Sequence, residues 1–285
     1  MKTQYYPTFS EFKELSKKGN VVPVYRQLFA DTLTPVSAFQ KVSDTDYAFL
    51  LESADGGEKI AKYSTIGSNP FAGFKCKGSN VEIFNKEGIT HIETTDPFKA
   101  LEQQISKFSP VRVNGLPDFF GGAVGYTSYD SVRYVETLPD STVDDLNLPD
   151  MYFMFYDETI VFDHLNKTIK VVCAAHIDER DIQEIYEDTV NKIDNVTNKL
   201  RTPVMTLSDD ITEKGELSLK FSSNFKKSDF LQAVETCKEY IRAGDVIQTV
   251  LSQRLQTEIN AKPINIYRTL RVINPSPYMF YIKMK

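Results

Sequence analysis

Cysteine and histidine are both scarce in this chain, with three of each in 285 residues. Cys76, Cys173 and Cys237 lie far apart without a CxxC pair, and His91, His164 and His176 show no metal-ligand spacing. Neither a disulfide framework nor a structural zinc is expected. Arginine-rich runs are missing too. Basic residues are scattered among acids and the formal net charge is −6, so a nucleic-acid binder, which needs a basic face, is set aside. The start, Met1-Lys-Thr-Gln-Tyr-Tyr-Pro7, has no apolar signal core, and no hydrophobic run reaches membrane-spanning length. These absences predict a cytoplasmic protein with no membrane partner, in which the sequons at Asn166 and Asn195 carry no meaning.

What is present is ordinary for a globular protein: 41% hydrophobic and 25% charged residues. The length suffices for one large domain or two smaller ones. Thr8-Phe-Ser-Glu11 has capping-box form and opens a helix that Gly19 stops. Thr34-Pro35 caps a second helix, with Val36, Phe39 and Val42 on one face. Five strands follow, at Tyr47–Leu51, Ile60–Ile66, Phe71–Lys77, Val81–Asn85 and Ile89–Glu93, the last two joined by a Lys86-Glu87-Gly88 hairpin. Asp96-Pro97 starts another helix. Residues Asp150 to Ala175 read as one long hairpin turning at Asn166-Lys167, and Asp178 opens a long amphipathic helix.

The stretch 201–219 is polar and weakly patterned, carries Pro203 and Gly215, and reads as a linker between a domain of residues 1–200 and an incomplete one of 220–285. In the second, Ser228 caps a helix with Phe230, Leu231, Val234, Cys237 and Ile241 inward, ended by Ala243-Gly244. Val246 to Gln256 reads as a strand, and Pro263 begins a further helix. The terminal strand then stops at Lys285 just after it begins, so the chain is expected to be truncated.

Three segments bear on chemistry. Phe120-Gly-Gly-Ala-Val-Gly-Tyr126 lacks the GxGxxG spacing of a dinucleotide loop and no helix follows it. Its glycines are expected to let two backbones approach in a sheet, with Arg133 and Glu136 forming a surface or hinge pair beyond it. In Gly244-Asp-Val-Ile-Gln-Thr-Val-Leu-Ser-Gln-Arg254, a strand places Val246, Gln248, Val250, Ser252 and Arg254 on one face; read alone, that is an amphipathic edge strand. Asn274-Pro-Ser-Pro-Tyr-Met-Phe-Tyr281 is stiff, because two prolines fix φ and remove two donors, which suits a pocket wall or an irregular connection. A second short apolar strand, Phe49-Leu-Leu-Glu-Ser-Ala54, runs into polar groups in the same way.

Taken together, these segments resemble the family of anthranilate synthase large subunits (component I), chorismate-utilising enzymes, along essentially the whole chain. The resemblance implies an α+β fold, a two-subdomain β-sandwich flanked by helices, with the carboxy-terminal half missing here. It implies a lyase of tryptophan biosynthesis that adds ammonia to chorismate and eliminates pyruvate, the ammonia arriving from glutamine through an amidotransferase subunit. Magnesium would bind the substrate carboxylate, its ligands lying beyond residue 285, so this piece alone is expected to be inactive. Relatives that add water to chorismate carry a general-base lysine where this chain has Gln248, which takes no proton at neutral pH; Gln248 is the one catalytic candidate, and it favours an aminating enzyme. The resemblance further implies a feedback site for tryptophan. Glu52 would take the ligand ammonium and Ser53 would hydrogen-bond the same end. Asn274, Pro277, Tyr278 and Met279 would wall the indole, and Lys62 would face the carboxylate. Aminodeoxychorismate synthase component I and a non-catalytic amino-acid sensor are the alternatives.

Overall fold

The computed structural model describes residues 4–53, 62–203 and 220–285. It begins with α1 (Phe9–Leu15), β1 (Val21–Phe29), α2 (Pro35–Val42), β2 (Ala48–Glu52) and β3 (Tyr63–Ser68). A meander follows: β4 (Ala72–Lys77), β5 (Asn80–Asn85) and β6 (Gly88–Glu93), then α3 (Pro97–Ile105) and β7 (Gly122–Thr127). After a short 3₁₀ helix (Tyr129–Tyr134) come β8 (Met151–Tyr156), β9 (Glu158–Asp163), β10 (Thr168–His176) and α4 (Ile182–Arg201). Beyond the linker region lie β11 (Phe221–Ser223), α5 (Lys227–Ala243), β12 (Leu255–Thr257), α6 (Pro263–Ile273) and β13 (Met279–Lys283).

The local signals behave as their chemistry requires. Glu11 accepts the Thr8 backbone N–H at 2.8 Å, closing the capping box of α1. Thr34 accepts from the Ser37 N–H ahead of Pro35. The cap of α4 is Asp181, whose carboxylate takes the Gln183 and Glu184 N–H groups, rather than Asp178, which is held by Arg180.

Two antiparallel sheets organise the first compact unit, which comprises residues 1–204 together with Tyr267–Lys285. The first sheet has the order β1-β10-β9-β3-β2-β13 and the second β6-β5-β4-β8-β7. Their facing sides meet in a core of Phe49, Val124, Tyr152, Met154 and Tyr156, where Phe49 and Tyr156 pack edge to face at 4.8 Å. The other side of the second sheet packs Phe74, Cys76 and Phe155 against Ala100 and Leu101 of α3. Helices α1, α2 and α4 lie against the first sheet. The α+β sandwich flanked by helices is therefore observed.

Three expectations are corrected. The hairpin read over Asp150–Ala175 is two objects: β8 belongs to the second sheet and β9-β10 to the first, with the chain crossing between them at Asp157. The Asp157 carbonyl accepts the Ala174 N–H at 2.7 Å and anchors the crossover. Arg133 pairs with Asp130 at 3.0 Å, one helical turn before it, rather than with Glu136.

The third correction concerns the second unit, residues 205–266, of which 220–266 are described. The sequence boundary at 220 divides the chain differently, because the last strand pairs with β2 and takes Tyr267–Lys285 into the first unit. The inferred linker falls almost wholly outside the described residues. Ser228 lies inside α5, whose N-cap is Lys226, while Gly244 ends the helix at φ 82° as read. No residue of α5 is buried. The strand predicted from Val246 shrinks to Leu255–Thr257, paired with Phe221–Ser223. A strand needs a ladder partner for its backbone groups, and among the described residues 246–253 have none. Gln248 is therefore exposed on an irregular segment, and the shared face with Val246, Val250, Ser252 and Arg254 does not form.

The glycine-rich segment becomes β7, paired along its length with β8. A Cβ at Gly125 would lie 1.9 Å from the Tyr152 carbonyl oxygen, so only glycine allows this approach. Gly125→Ala is expected to lower stability by about 1–3 kcal/mol or more through forced backbone separation. Urea unfolding reads this directly; an unchanged midpoint would mean that the two strands are not in close register.

Candidate effector site

Glu52 ends β2, which lies in the sheet between β3 and β13. Its register partners are Ser64 on one side and Met279 on the other. Opposed residues in an antiparallel ladder have Cβ atoms about 5 Å apart, so the Met279 and Glu52 side chains leave the sheet side by side on one face. Two segments 227 positions apart (279 − 52) are thus joined by backbone hydrogen bonds alone.

Helix α6 supplies what the sequence reading missed. Tyr267 donates its hydroxyl proton to Glu52 Oε2 at 2.6 Å, and Arg271 Nε lies 3.0 Å from the same oxygen. Tyr267 and Arg271 stand four apart, on one face of the helix. The Arg271 contact is a charge contact, since its Nε makes no directed hydrogen bond. Glu52 is 4% exposed and Tyr267 5%, and burial together with the bond to Glu52 drives the Tyr267 hydroxyl far above the ordinary phenol range. Tyr267 also packs on Tyr281 of β13 at 5.7 Å.

On the opposite side, Ser64 Oγ lies 2.7 Å from His164 Nε2. Burial lowers the His164 pKa, Lys167 lowers it further, and Glu52 and Asp163 oppose that shift in part. The result is a buried carboxylate held by a phenol and a guanidinium, with a hydroxyl-imidazole pair one strand away. The only signal for these partners was the i, i+4 spacing of Tyr267 and Arg271, which also fits an ordinary amphipathic helix.

The other predicted residues are placed unevenly. Ser53 donates its N–H to the Tyr63 carbonyl at 3.3 Å, so it stays on the ladder beside Glu52. Met279 is buried, whereas Asn274, Pro277 and Tyr278 lie on the exposed connection between α6 and β13. Tyr278 is 70% exposed. Lys62 places its ammonium over the Tyr63 ring at 5.0 Å. Gln248 belongs to the other unit.

Comparison with known proteins decides the family. The chorismate binding enzyme family matches residues 46–285. The chain belongs to that family. It is 40% identical over 98% of its length to anthranilate synthase component 1 of Acetivibrio thermocellus, covering 57% of that protein. Against the same component of Aquifex aeolicus it is 38% identical over 96% of its length, covering 56%. Anthranilate synthase component I from Streptococcus pneumoniae TIGR4 superposes with a TM-score of 0.64 at 28% identity, over 87% of this chain and 53% of that one. The chain thus spans about half the length of the relatives it matches, and its likeness to component I extends to the fold. Among the described residues, no helix is long and apolar enough to cross a membrane.

Two outcomes follow for this family member. Tyr267→Phe removes a hydrogen bond to a buried charged group and should destabilise the chain by about 1.5–3 kcal/mol. A change below about 0.5 kcal/mol in urea unfolding, the range of surface substitutions, would place the hydroxyl in solvent. For His164, a folded pKa below the unfolded one means that the unfolded chain binds the proton more readily. Its contribution to stability is full above the ordinary value of 6.5 and is lost as pH falls through the lowered folded value. The melting temperature should therefore drop between pH 7 and 5 less steeply in His164→Asn than in the wild type; parallel profiles would remove His164 as the titrating group.

Proposed function

We propose that this chain forms the effector-binding part of an anthranilate synthase large subunit. Such an enzyme converts chorismate and ammonia to anthranilate and pyruvate, with ammonia drawn from glutamine by an amidotransferase partner, under feedback inhibition by tryptophan. The observation that carries the effector reading is the β2–β13 ladder, which sets Met279 opposite Glu52. An anionic group for an ammonium and a thioether for an aromatic ring then stand side by side. Ser53 follows Glu52 on the same strand end, and Tyr278 precedes Met279 with its ring exposed and open to a ligand.

Arg271 changes how the amino-acid end would be held. Glu52 already has a cation, so a ligand ammonium must share or displace it. For the ligand carboxylate, Lys62 remains the assigned partner. Gln248 stays the one proposed substrate-pocket residue: a neutral amide suits ammonia, which needs no general base to become a nucleophile. Magnesium belongs to the proposed reaction. Among the described residues no three His, Cys, Asp or Glu side chains converge on a metal position, so no ligand is assigned here and no step is derived through the ion.

The chain contains no tryptophan, so indole fluorescence reports bound effector directly. Tryptophan should bind the wild-type chain, with Ser53→Phe and Met279→Thr weaker by about 5- to 150-fold, corresponding to about 1–3 kcal/mol for one lost buried contact. Identical titration curves for all three proteins would sink the effector assignment. In the intact enzyme, Gln248→Lys should weaken ammonia-dependent anthranilate formation; an unchanged rate would remove Gln248 from the active site.

A further inference from the structure

We propose that the hollow beside the β8–β9 crossover is a second small-molecule site, suited to a neutral planar aromatic compound bearing one N–H or O–H donor. It lies wholly in the first unit and shares no residue with the Glu52 cluster. Its volume is about 320 Å³, at the lower end of ligand pockets and enough for a fused two-ring system.

Its walls are aromatic. Phe71, Phe108, Phe120 and Phe155 line it, with the bare backbone of Gly121 and Gly122 between them. His176 stands on this aromatic shelf, 4.7 Å from the Phe71 ring and 5.6 Å from Phe108. Asp118 at the rim is open to solvent, so the hollow is a cleft that a ligand can enter, and an aromatic ring laid against these walls takes apolar surface out of water.

Charge at the polar end selects the ligand class. Asp157 and His176 both line it. Asp118 adds a second carboxylate at the solvent-exposed rim, paired with Arg112 at 3.4 Å. Among the described residues no lysine or arginine lines the hollow, so an anion would meet the Asp157 carboxylate without a compensating cation at that end. A cation gains little either, because Lys192 already lies 3.4 Å from Asp157 Oδ2 and His176 Nε2 lies 3.5 Å from it. Burial alone would raise the Asp157 carboxyl, but His176 and Lys192 outweigh it and hold the group below the usual carboxylate range. The carboxylate therefore remains an acceptor. His176 Nε2 is buried. That nitrogen faces the Asp157 carboxylate at 3.5 Å, so its proton is directed at Asp157, and the remaining lone pairs of the carboxylate are the acceptor that one ligand donor would meet.

A neighbouring cavity shares Phe71, Phe108 and Phe155 but carries Lys86 and Lys107 at its wall. The two hollows thus differ in charge while sharing their apolar floor.

Indole is the probe, with 1-methylindole as the same shape lacking the donor. With three histidines in the chain, the His176 ring resonances are resolvable by NMR. Indole should shift them and bind the wild type about tenfold more tightly than 1-methylindole, the difference of one hydrogen bond. His176→Phe should weaken indole about tenfold, and Ala174→Leu, which fills the hollow, should abolish binding while leaving the fold intact by circular dichroism. Glu52→Gln should not alter indole binding, which separates this site from the effector reading. Equal affinity of the wild type for indole and 1-methylindole, saturation unchanged by Ala174→Leu, or no movement of His176 at the solubility limit of indole would each overturn the proposal.

Discussion

The pairing of β13 with β2 is the constraint on which the rest of the candidate site depends. Five register pairs, from Met279↔Glu52 to Lys283↔Ala48, attach the last strand to the edge of a sheet otherwise built from residues 21–176. Once that ladder forms, the preceding helix has little freedom in where its final turns lie. Tyr267 is drawn onto Tyr281, and its hydroxyl onto Glu52. Lys283 reaches back to the Ser43 and Thr45 carbonyls, so the strand is held at both ends. Without the ladder, Glu52 would be an edge carboxylate beside Ser64; with it, Glu52 is a buried charge that requires Tyr267 and Arg271.

That requirement gives the site a dual character. A buried ion pair contributes little net stability, because desolvation offsets the attraction, yet removing one partner is costly. Such a cluster is well suited to sense a ligand that competes for one of its members, since the cost of separating Glu52 from Arg271 is sensitive to what replaces the guanidinium. A zwitterionic amino acid brings its own cation to the carboxylate. Under the proposed function, ligand binding and the placement of α6 would share one oxygen, Glu52 Oε2, so that a change at one would be felt at the other without a long pathway.

Sequence reading succeeded where the determining chemistry was local. Capping at Thr8 and Thr34, the Gly244 stop and the meander of β4, β5 and β6 each depend on residues within a few positions. The glycine-rich segment was also legible: its glycines admit the close approach of β7 to β8, and Gly125 shows the need. Reading failed where a partner decides. Val246–Gln256 has strand composition, but a strand exists only with a ladder, and only Leu255–Thr257 finds one among the described residues. The Asp157 crossover was hidden because apolar runs continue on both sides of it, Met151–Tyr156 facing one core and Thr159–Phe162 another. Nothing in the alternation marks the residue where the chain changes sheets.

The same crossover links the two candidate sites physically. Strand β8 lends Tyr152, Met154 and Tyr156 to the core between the sheets and Phe155 to the aromatic shelf. Strand β9 then runs antiparallel to β3, with Ser64 opposite Phe162, two residues before His164. The path from the crossover to the imidazole beside Ser64 is thus one strand of six residues, and Ser64 stands opposite Glu52 across the next ladder. A ligand lodged against Asp157 and one lodged against Glu52 would touch the same sheet at different places, through residues that neither shares with the other.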